Sequence, residues 1–210
     1  LVVISPRILA VGVSERSSPD AVEALAVAAG KAFDEQVTVF AVLLPKERYC
    51  IHLDMVFTVV DRDAALVYAP LVTGPRRASV VRIEARKNGK VTFSDEEGLL
   101  QGLWSAGVDL EPISCGSGDP LHQEREQWWS GANSFAFAPG KILMYSCNAR
   151  TLDALSRAGF AVRPASALVS GEESLEEPGR LAVAFDGIEL ARGGGGARCM
   201  TLPVEREDVD

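Results

Sequence analysis

An α/β fold built from repeated units is the architecture that this sequence predicts. Aliphatic, strand-like runs alternate with amphipathic, helix-like segments along all 210 residues, a pattern typical of sheets with helices packed on them. In addition, an Ala-Gly pair followed by an apolar run occurs at residues 106–112 and 158–164, where both runs end in proline, and more loosely from residue 29. A repeat of about fifty residues indicates a modular or propeller-like array whose units bury faces against one another.

The first unit is predicted to contain two strands and a helix. Residues 8–13 are aliphatic and predict a strand, and Ser17-Ser-Pro-Asp20 is typical of a helix start with proline in the first turn. Gly30 is expected to interrupt this helix near its end. Residues 37–44 are nearly all apolar and predict a strand buried on both faces. The buried stripe of the helix is expected to comprise Val22, Leu25, Ala26 and Ala29.

The second unit is predicted from turn and capping signals. Residues 65–69 and 80–85 alternate and are expected to pair as strands, and Asn88-Gly89 marks a tight turn. Ser94-Asp-Glu-Glu97 has the form of a capping box, which predicts a helix start. Residues 108–113 are expected to return as a strand. The helix between them is expected to bury Leu99, Leu100, Leu103 and Trp104.

The third unit repeats this layout. Residues 134–138 and 142–146 predict paired strands around Pro139-Gly140, followed by a helix over 151–158 and a return strand from Phe160. The acidic residues 171–178 predict a solvated loop or a short helix.

Charge and cysteine content exclude some functions and favour others. The net charge of −8 and the pI near 4.9 argue against nucleic acid as a partner and suit a cationic small substrate. The apolar runs fall far below the ~20 residues of a membrane-spanning helix, so no membrane association is expected. Cysteines at positions 50, 115, 147 and 199 show no paired spacing, which predicts reduced thiols in a cytoplasmic protein.

Cys199 is the candidate nucleophile. A reactive cysteine needs nearby positive charge or aligned N–H groups, and Arg192 and Arg198 offer charge. The glycines of residues 193–196 allow φ > 0, so this loop could lay amide N–H groups around a bound group. On these residues alone, a flexible linker that ends in an incidental buried cysteine explains the pattern equally well.

His52 and Asp54 lie in a β-rich run, residues 51–61, two positions apart. Side chains alternate along a strand, so the two are expected to share a face. Imidazole can move protons near pH 7 and the carboxylate can hold a cation, which with Cys199 makes a Cys/His/Asp constellation. A buried, hydrogen-bonded histidine is one alternative. A metal site with Cys50 is another, although the sequence supplies no fourth ligand for zinc.

Several motifs, taken in order, resemble one enzyme family. His52-Leu-Asp54 precedes Val-Phe-Thr58, Arg125-Glu-Gln-Trp128 precedes Gly131-Ala-Asn133, and Arg192-Gly-Gly-Gly-Gly-Ala-Arg-Cys-Met200 follows near the end. Ser14-Glu-Arg-Ser17 fits the same series. Together they resemble arginine deiminase, and several motifs in the right order are far more specific than any one.

The resemblance implies the fold in more detail. The family has a pentein-type α/β propeller of five pseudo-symmetric units around a central active site, of which roughly three would be present here. Residues 1–210 are then expected to form a single incomplete catalytic domain, the C-terminal part of such a propeller. The missing N-terminal half of the same fold would be its partner, with a second copy of the chain as a further one.

The resemblance also implies a reaction, the hydrolysis of L-arginine to L-citrulline and ammonia. Cys199 would attack the guanidinium carbon and form a covalent thiouronium, and His52 would move the protons. Asp54 would hold the guanidinium, Arg16 would hold the substrate α-carboxylate, and the Gly193-Gly194 segment would lie in the substrate-binding loop. No cofactor and no metal are implied.

Some features depart from the family pattern and keep two alternatives open. A further Asp and Glu that bind the guanidinium would lie upstream of Leu1, Gly194 stands where an arginine is usual, and Ser130 where an aspartate is usual. An amidinotransferase would use the same Cys and His but pass the amidino group to an amine. An incomplete, non-catalytic fragment or subunit would need neither residue to react.

Overall fold

A computed structural model describes residues 1–176 and 178–205. The chain divides into two compact units, the first formed by Leu1–Asp54 and Pro70–Leu110, the second by Met55–Ala69 and Glu111–Asp210. The described strands are β1 (Val2–Ser5), β2 (Ile8–Val13), β3 (Val37–Leu43), β4 (Phe57–Asp61), β5 (Ala64–Val67), β6 (Ser79–Ala85), β7 (Val91–Glu96), β8 (Glu111–Ser114), β9 (Phe135–Ala138), β10 (Lys141–Tyr145), β11 (Ala161–Pro164) and β12 (Leu181–Phe185). The described helices are α1 (Pro19–Ala32), α2 (Ala69–Val72), α3 (Leu99–Ser105), α4 (Pro120–Trp128), α5 (Ala149–Arg157), α6 (Ala165–Val169) and α7 (Ile188–Ala191).

The first unit is built on a five-stranded sheet in the order β1-β2-β3-β6-β7. β2 and β3 run parallel, with Ile8 opposite Thr38, and the remaining pairs are antiparallel. Helix α1 packs its apolar stripe on this sheet, so that Val22 and Ala26 join a buried cluster with Val39. The predicted strands 8–13 and 37–44 and the helix start are therefore confirmed. The side chain of Ser18 caps that start by accepting a hydrogen bond from the Ala21 amide.

Gly30 does not interrupt α1, contrary to the prediction, because the helix continues to Ala32. A Cβ at position 30 would lie 2.9 Å from Cβ of Ala85 in β6. The glycine therefore permits a close approach of helix and sheet.

The predicted capping box at residues 94–97 is wrong. The Asn88-Gly89 turn is present, with Gly89 at φ 78°, and it sends the following residues back along β6 as strand β7. Pairing with β6 thus outweighs the local helix-start signal, and α3 begins only at Leu99, after Gly98. Trp104 was expected to be buried on this helix and is 60% exposed.

The predicted pairing of residues 65–69 with 80–85 is also wrong. β5 pairs antiparallel with β4 and parallel with β8, whereas β6 pairs with β3 and β7 in the other unit. Alternation shows that a segment can be a strand, but the partner depends on long-range packing that local sequence does not contain.

The second unit contains a three-stranded sheet, β4-β5-β8, and a four-stranded sheet, β11-β12-β10-β9. The predicted hairpin of β9 and β10 and the helix α5 are confirmed. The return strand β11 does not lie beside β10, because the unpredicted strand β12 runs parallel to both and separates them. The predicted acidic excursion of residues 171–178 includes residue 177, which lies outside the described residues.

These elements confirm the α/β class, while the five-unit propeller stays a prediction. Throughout residues 1–176 and 178–205, no helix combines the length and the apolar character that a bilayer crossing requires.

Candidate active site

Cys199 lies on an exposed turn. After α7 the chain enters the left-handed region at Gly194 and Gly195, with φ of 86° and 91°, and then forms a short 3-10 turn at Arg198–Met200. We call residues 193–200 the cysteine loop. Because Cys199 is exposed, a small molecule can reach its thiol, and the alternative of an incidental buried cysteine is wrong.

Gly195 makes room for the cysteine side chain. A Cβ at this position would lie 2.8 Å from Cβ of Cys199 and 3.2 Å from its sulfur. Together with its positive φ, this close approach makes glycine the residue that fits here.

Asn133 holds the cysteine loop in place through hydrogen bonds. Its side-chain oxygen Oδ1 accepts hydrogen bonds from the amides of Gly196, at 2.9 Å, and Cys199, at 3.2 Å. Its backbone carbonyl accepts a third bond from the amide of Arg198 at 3.5 Å. Asn133 is 1% exposed, so the Gly131-Ala-Asn133 motif is a buried support for the loop that carries Cys199.

Most of the glycine amides are already used within the chain. The Gly193 amide donates to the carbonyl of Leu190 and the Gly194 amide to that of Ala191, each at 3.0 Å, and the Gly196 amide donates to Asn133. These three N–H groups therefore stabilise the loop itself rather than point towards a ligand. The assignment of Gly193 and Gly194 to the substrate stays a prediction.

The charged and polar neighbours of Cys199 differ in their roles. Arg192, one of the two arginines expected to favour the thiolate, forms an exposed ion pair with Glu189 at 2.9 Å. The hydroxyl of Tyr145 lies 3.3 Å from the carbonyl of Gly195, which accepts its hydrogen bond. Burial, together with the nearby thiols of Cys199 and Cys147, raises the pKa of Tyr145, so this hydroxyl stays protonated and able to donate.

The Arg125–Trp128 motif contributes a buried carboxylate. Glu126 accepts hydrogen bonds from the amides of Arg150 and Thr151, both at 2.8 Å, and from the hydroxyl of Thr151 at 2.6 Å. A carboxylate at this position satisfies the first amides of α5 and opposes the positive end of its dipole. The next residue, Gln127, donates through its side-chain amide to the carbonyl of Met55 at 2.6 Å.

Thr58 and Ser130, two further residues of the family motifs, lie close to the Gly131-Ala-Asn133 motif in the structure. The hydroxyl of Thr58, in the Val-Phe-Thr motif, donates to the carbonyl of Ala132 at 2.8 Å. Ser130, which stands where the family usually has aspartate, is buried with φ 57° in the turn that follows α4. The Val-Phe-Thr58 motif and the Gly131-Ala-Asn133 motif, far apart in sequence, are therefore joined by a hydrogen bond, and Asn133 in turn supports the cysteine loop.

His52 and Asp54 do not lie on a strand, which corrects the sequence prediction. His52 sits in a bend, Asp54 in a 3-10 turn over Leu53–Met55, and β4 begins only at Phe57. Leu53 is 1% exposed and packs near Gly12, and burial of this side chain fixes the turn. The two polar residues therefore share no strand face. His52 is exposed, so the alternative of a buried histidine is also wrong.

Ser14 joins two predicted site segments within the first unit. Its hydroxyl donates to the carbonyl of Ile51 at 2.6 Å and accepts from the amide of Arg16 at 3.2 Å. Arg16 is exposed in the turn between β2 and α1. Through Ser14 it is connected to Ile51, the residue before His52. These residues belong to the first unit and Cys199 to the second, so the full Cys/His/Asp constellation stays a prediction.

Burial raises the pKa of the other three cysteines, Cys50, Cys115 and Cys147, which disfavours their thiolates. It raises the pKa of Cys115 to about 12. The thiol of Cys50 lies 3.4 Å from the carbonyl of Pro45, and the proposed metal site with His52 and Asp54 gains no support. Within the described part of the chain, no group of three or more His, Cys, Asp and Glu residues is arranged to hold a metal ion.

The sequence does not predict that Tyr145 contacts the cysteine loop, and it indicates Asn133 only as part of a motif. A buried asparagine in a Gly-Ala-Asn turn carries a usable signal, because such a side chain needs hydrogen-bond partners. Tyr145 ends an ordinary apolar strand and gave no signal.

Comparison with known proteins identifies relatives of this chain. A family model described as arginine deiminase matches residues 1–206. Arginine deiminases from Treponema denticola, Clostridium perfringens and Oenococcus oeni are 34%, 33% and 32% identical to it. The alignments cover 98–99% of this chain but only 46% of each relative. The chain therefore spans about half the length of the curated relatives that it matches.

Proposed function

This chain belongs to the arginine deiminase family, and from that premise we propose that it carries the nucleophile of an enzyme that hydrolyses L-arginine to L-citrulline and ammonia. The single observation that carries the proposal is Cys199, exposed on a turn whose amides are fixed by the buried Asn133. An accessible thiol on a rigid support is what covalent catalysis by cysteine requires.

The proposed reaction proceeds in two steps. The Cys199 thiolate forms a bond to the guanidinium carbon, and the carbon–nitrogen bond to a terminal nitrogen breaks after His52 gives that nitrogen a proton, so that ammonia leaves. Water, losing a proton to His52, then attacks the thiouronium carbon. The carbon–sulfur bond breaks, citrulline departs and the thiolate returns.

Substrate binding in this proposal uses charge complementarity. Asp54 holds the guanidinium nitrogens, and Arg16 pairs with the α-carboxylate through its planar fork of donors. Gly193 and Gly194 line the substrate through the backbone of the cysteine loop. The exposure of Arg16 and its link through Ser14 to the segment of His52 support this assignment.

The proposed complete enzyme contains more chain than the 210 residues here. We assign this chain to the C-terminal part of a five-unit propeller, with the N-terminal half of the same fold as its partner and a second copy as a further one. The 46% coverage of the relatives supports this assignment. The four free cysteines support a reducing compartment such as the cytoplasm.

Release of citrulline and ammonia from L-arginine tests the function. The assay compares the 210-residue chain, alone and mixed with the upstream half of a relative, with Cys199→Ala and Cys147→Ala variants. We expect citrulline from the complemented chain and from Cys147→Ala, and none from Cys199→Ala. Citrulline from Cys199→Ala at the unmodified rate would exclude Cys199 as the nucleophile.

A non-catalytic subunit is the second candidate, favoured by the same 46% coverage. Absence of citrulline from a folded sample that contains both halves would select it. Transfer of the amidino group to added glycine would instead select the amidinotransferase.

A further inference from the structure

We propose that Asn133 is the positioning residue for Cys199, and that a neutral amide is needed there so that the thiolate is not disfavoured. The inference rests on the proposed function, in which Cys199 is the nucleophile. It goes further, because it names a residue that need not touch the substrate and predicts the effect of its charge.

The hydrogen-bond geometry supplies the first argument. One oxygen, Oδ1 of Asn133, accepts the amides of Gly196 and Cys199, while the backbone carbonyl accepts the amide of Arg198. These contacts fix both ends of the segment from which the thiol projects. Because Asn133 is almost fully buried, water competes weakly for these acceptors, and the hydrogen bonds are stronger than exposed ones.

Close packing supplies the second argument. A Cβ at Gly196 would lie 2.4 Å from the Asn133 carbonyl oxygen, so the loop rests directly on the backbone of Asn133. That backbone is held in turn, because the Asn133 amide donates to the carbonyl of Ser130 at 3.0 Å and Ala132 accepts from Thr58. A chain of contacts therefore connects Cys199 to α4 and β4, and rigid elements of this kind hold a reacting group more accurately than a free loop.

The chemistry of the side chain supplies the third argument. An asparagine oxygen accepts two amides without a formal charge, whereas an aspartate would accept the same amides and bring a negative charge beside the cysteine. Like charges disfavour one another, so the aspartate would raise the pKa of the Cys199 thiol. The amide supports the loop and leaves the thiolate accessible, a combination that a carboxylate does not offer.

Three variants of the full chain separate positioning from simple stability. Asn133→Leu removes the acceptor at similar volume, and Asn133→Asp keeps the acceptor and adds charge. Asn148→Leu is the matched control, because Asn148 is also a fully buried asparagine of the second unit, but its side chain donates to the carbonyl of Trp129. The readouts are hydrogen exchange of the loop amides and the pH dependence of iodoacetamide labelling, with the Cys199 peptide quantified by mass spectrometry.

In Asn133→Leu we expect exchange at Gly196 and Cys199 to accelerate by about tenfold or more, since both donors lose their acceptor. Asn133→Asp should keep these amides protected but move the midpoint of Cys199 labelling up by about one pH unit. Asn148→Leu should change neither readout, whatever it does to the unfolding temperature. A labelling profile that stays unchanged in Asn133→Asp, or loop amides that stay protected in Asn133→Leu, would overturn the proposal.

Turnover gives an independent reading in the complemented enzyme. Asn133→Leu should lower kcat by about tenfold or more with little change in KM, because the substrate contacts remain while the thiol is misplaced. If the unmodified chain shows no turnover, the proposed function fails, yet exchange and labelling still decide the role of Asn133. The two failures are therefore distinguishable.

Discussion

The two units of this chain bury different chemistry. In the described residues of the first unit the fully buried side chains are apolar, as in the cluster of α1 with the five-stranded sheet. In the second unit an apolar cluster is joined by buried polar side chains: Thr58, Gln123, Glu126, Gln127, Ser130, Asn133, Ser134, Asn148 and Thr151.

This difference shows that the second unit positions its side chains through directional hydrogen bonds as well as through apolar burial. An apolar core tolerates small shifts, because its stabilisation scales with buried area and has no direction. Buried polar groups must meet their partners within hydrogen-bond distance, so they fix a single arrangement. One of these buried polar side chains, Asn133, accepts the amide of Cys199, the residue whose position matters most for the proposed chemistry.

The largest effect is expected from removal of the buried carboxylate in Glu126→Ala. Three donors, the amides of Arg150 and Thr151 and the hydroxyl of Thr151, would lose their acceptor. We expect the free energy of unfolding to fall by about 3–5 kcal/mol, measured by urea denaturation. Glu124→Ala on the exposed side of the same helix is the control and should change it by less than about 0.5 kcal/mol. Equal losses would mean that Glu126 does not hold α5.

A smaller effect is expected from overpacking beneath the cysteine loop. In Gly196→Ala the new methyl group meets the Asn133 carbonyl at 2.4 Å, and a loss of about 2–3 kcal/mol should follow. In Gly193→Ala the nearest atom is the Leu190 carbonyl at 3.4 Å, so this variant should lose less than about 0.5 kcal/mol. Thermal unfolding of the two variants checks the contrast, and similar melting temperatures would contradict the close contact.

An exchange of isosteric residues compares the two cores directly. Thr151→Val removes a hydroxyl that accepts from Gly116 and donates to Glu126, and Val39→Thr places a hydroxyl in the apolar core of the first unit. Each should cost about 1–2 kcal/mol, the first by leaving partners unsatisfied and the second by burying a polar group. Urea denaturation measures both. A stabilised Thr151→Val would show that the polar group of the second unit contributes nothing to folding.

The smallest effect is a pH dependence due to Cys115. Its pKa is about 12 in the folded protein against 9.0 for an unperturbed thiol, so folding favours the protonated form. The contribution to stability is complete below about pH 9 and is lost progressively towards pH 12. The part lost by pH 10 is about 1 kcal/mol. The difference in unfolding free energy between the unmodified protein and Cys115→Ala should therefore shrink by this amount from pH 7 to pH 10. A constant difference would contradict the shift.

How far the sequence predicts this structure depends on the distance over which each signal acts. The start of α1 was predictable because Ser18 and Pro19 act within one helical turn. The hairpin around Asn88-Gly89 was predictable for the same reason, whereas the helix expected at residues 94–97 became strand β7 once β6 offered a partner. The sequence predicts a strand for His52 and Asp54 because these polar residues alternate with apolar neighbours. Two of those neighbours, Leu53 and Met55, are instead buried in a 3-10 turn.

The sequence by itself determined the α/β class, the family and the identity of the candidate nucleophile. All three depend on local periodicity or on ordered motifs, which can be recognised without knowing which residues are close in space. Only the tertiary structure decided that Thr58 donates to the carbonyl of Ala132, that Glu126 accepts from Thr151, and that Asn133 accepts from the amide of Cys199. The partners in these three hydrogen bonds lie 74, 25 and 66 positions apart in the sequence. The physical reason is that a buried polar group is satisfied by whichever partner folding brings within about 3 Å, and no local pattern specifies that partner.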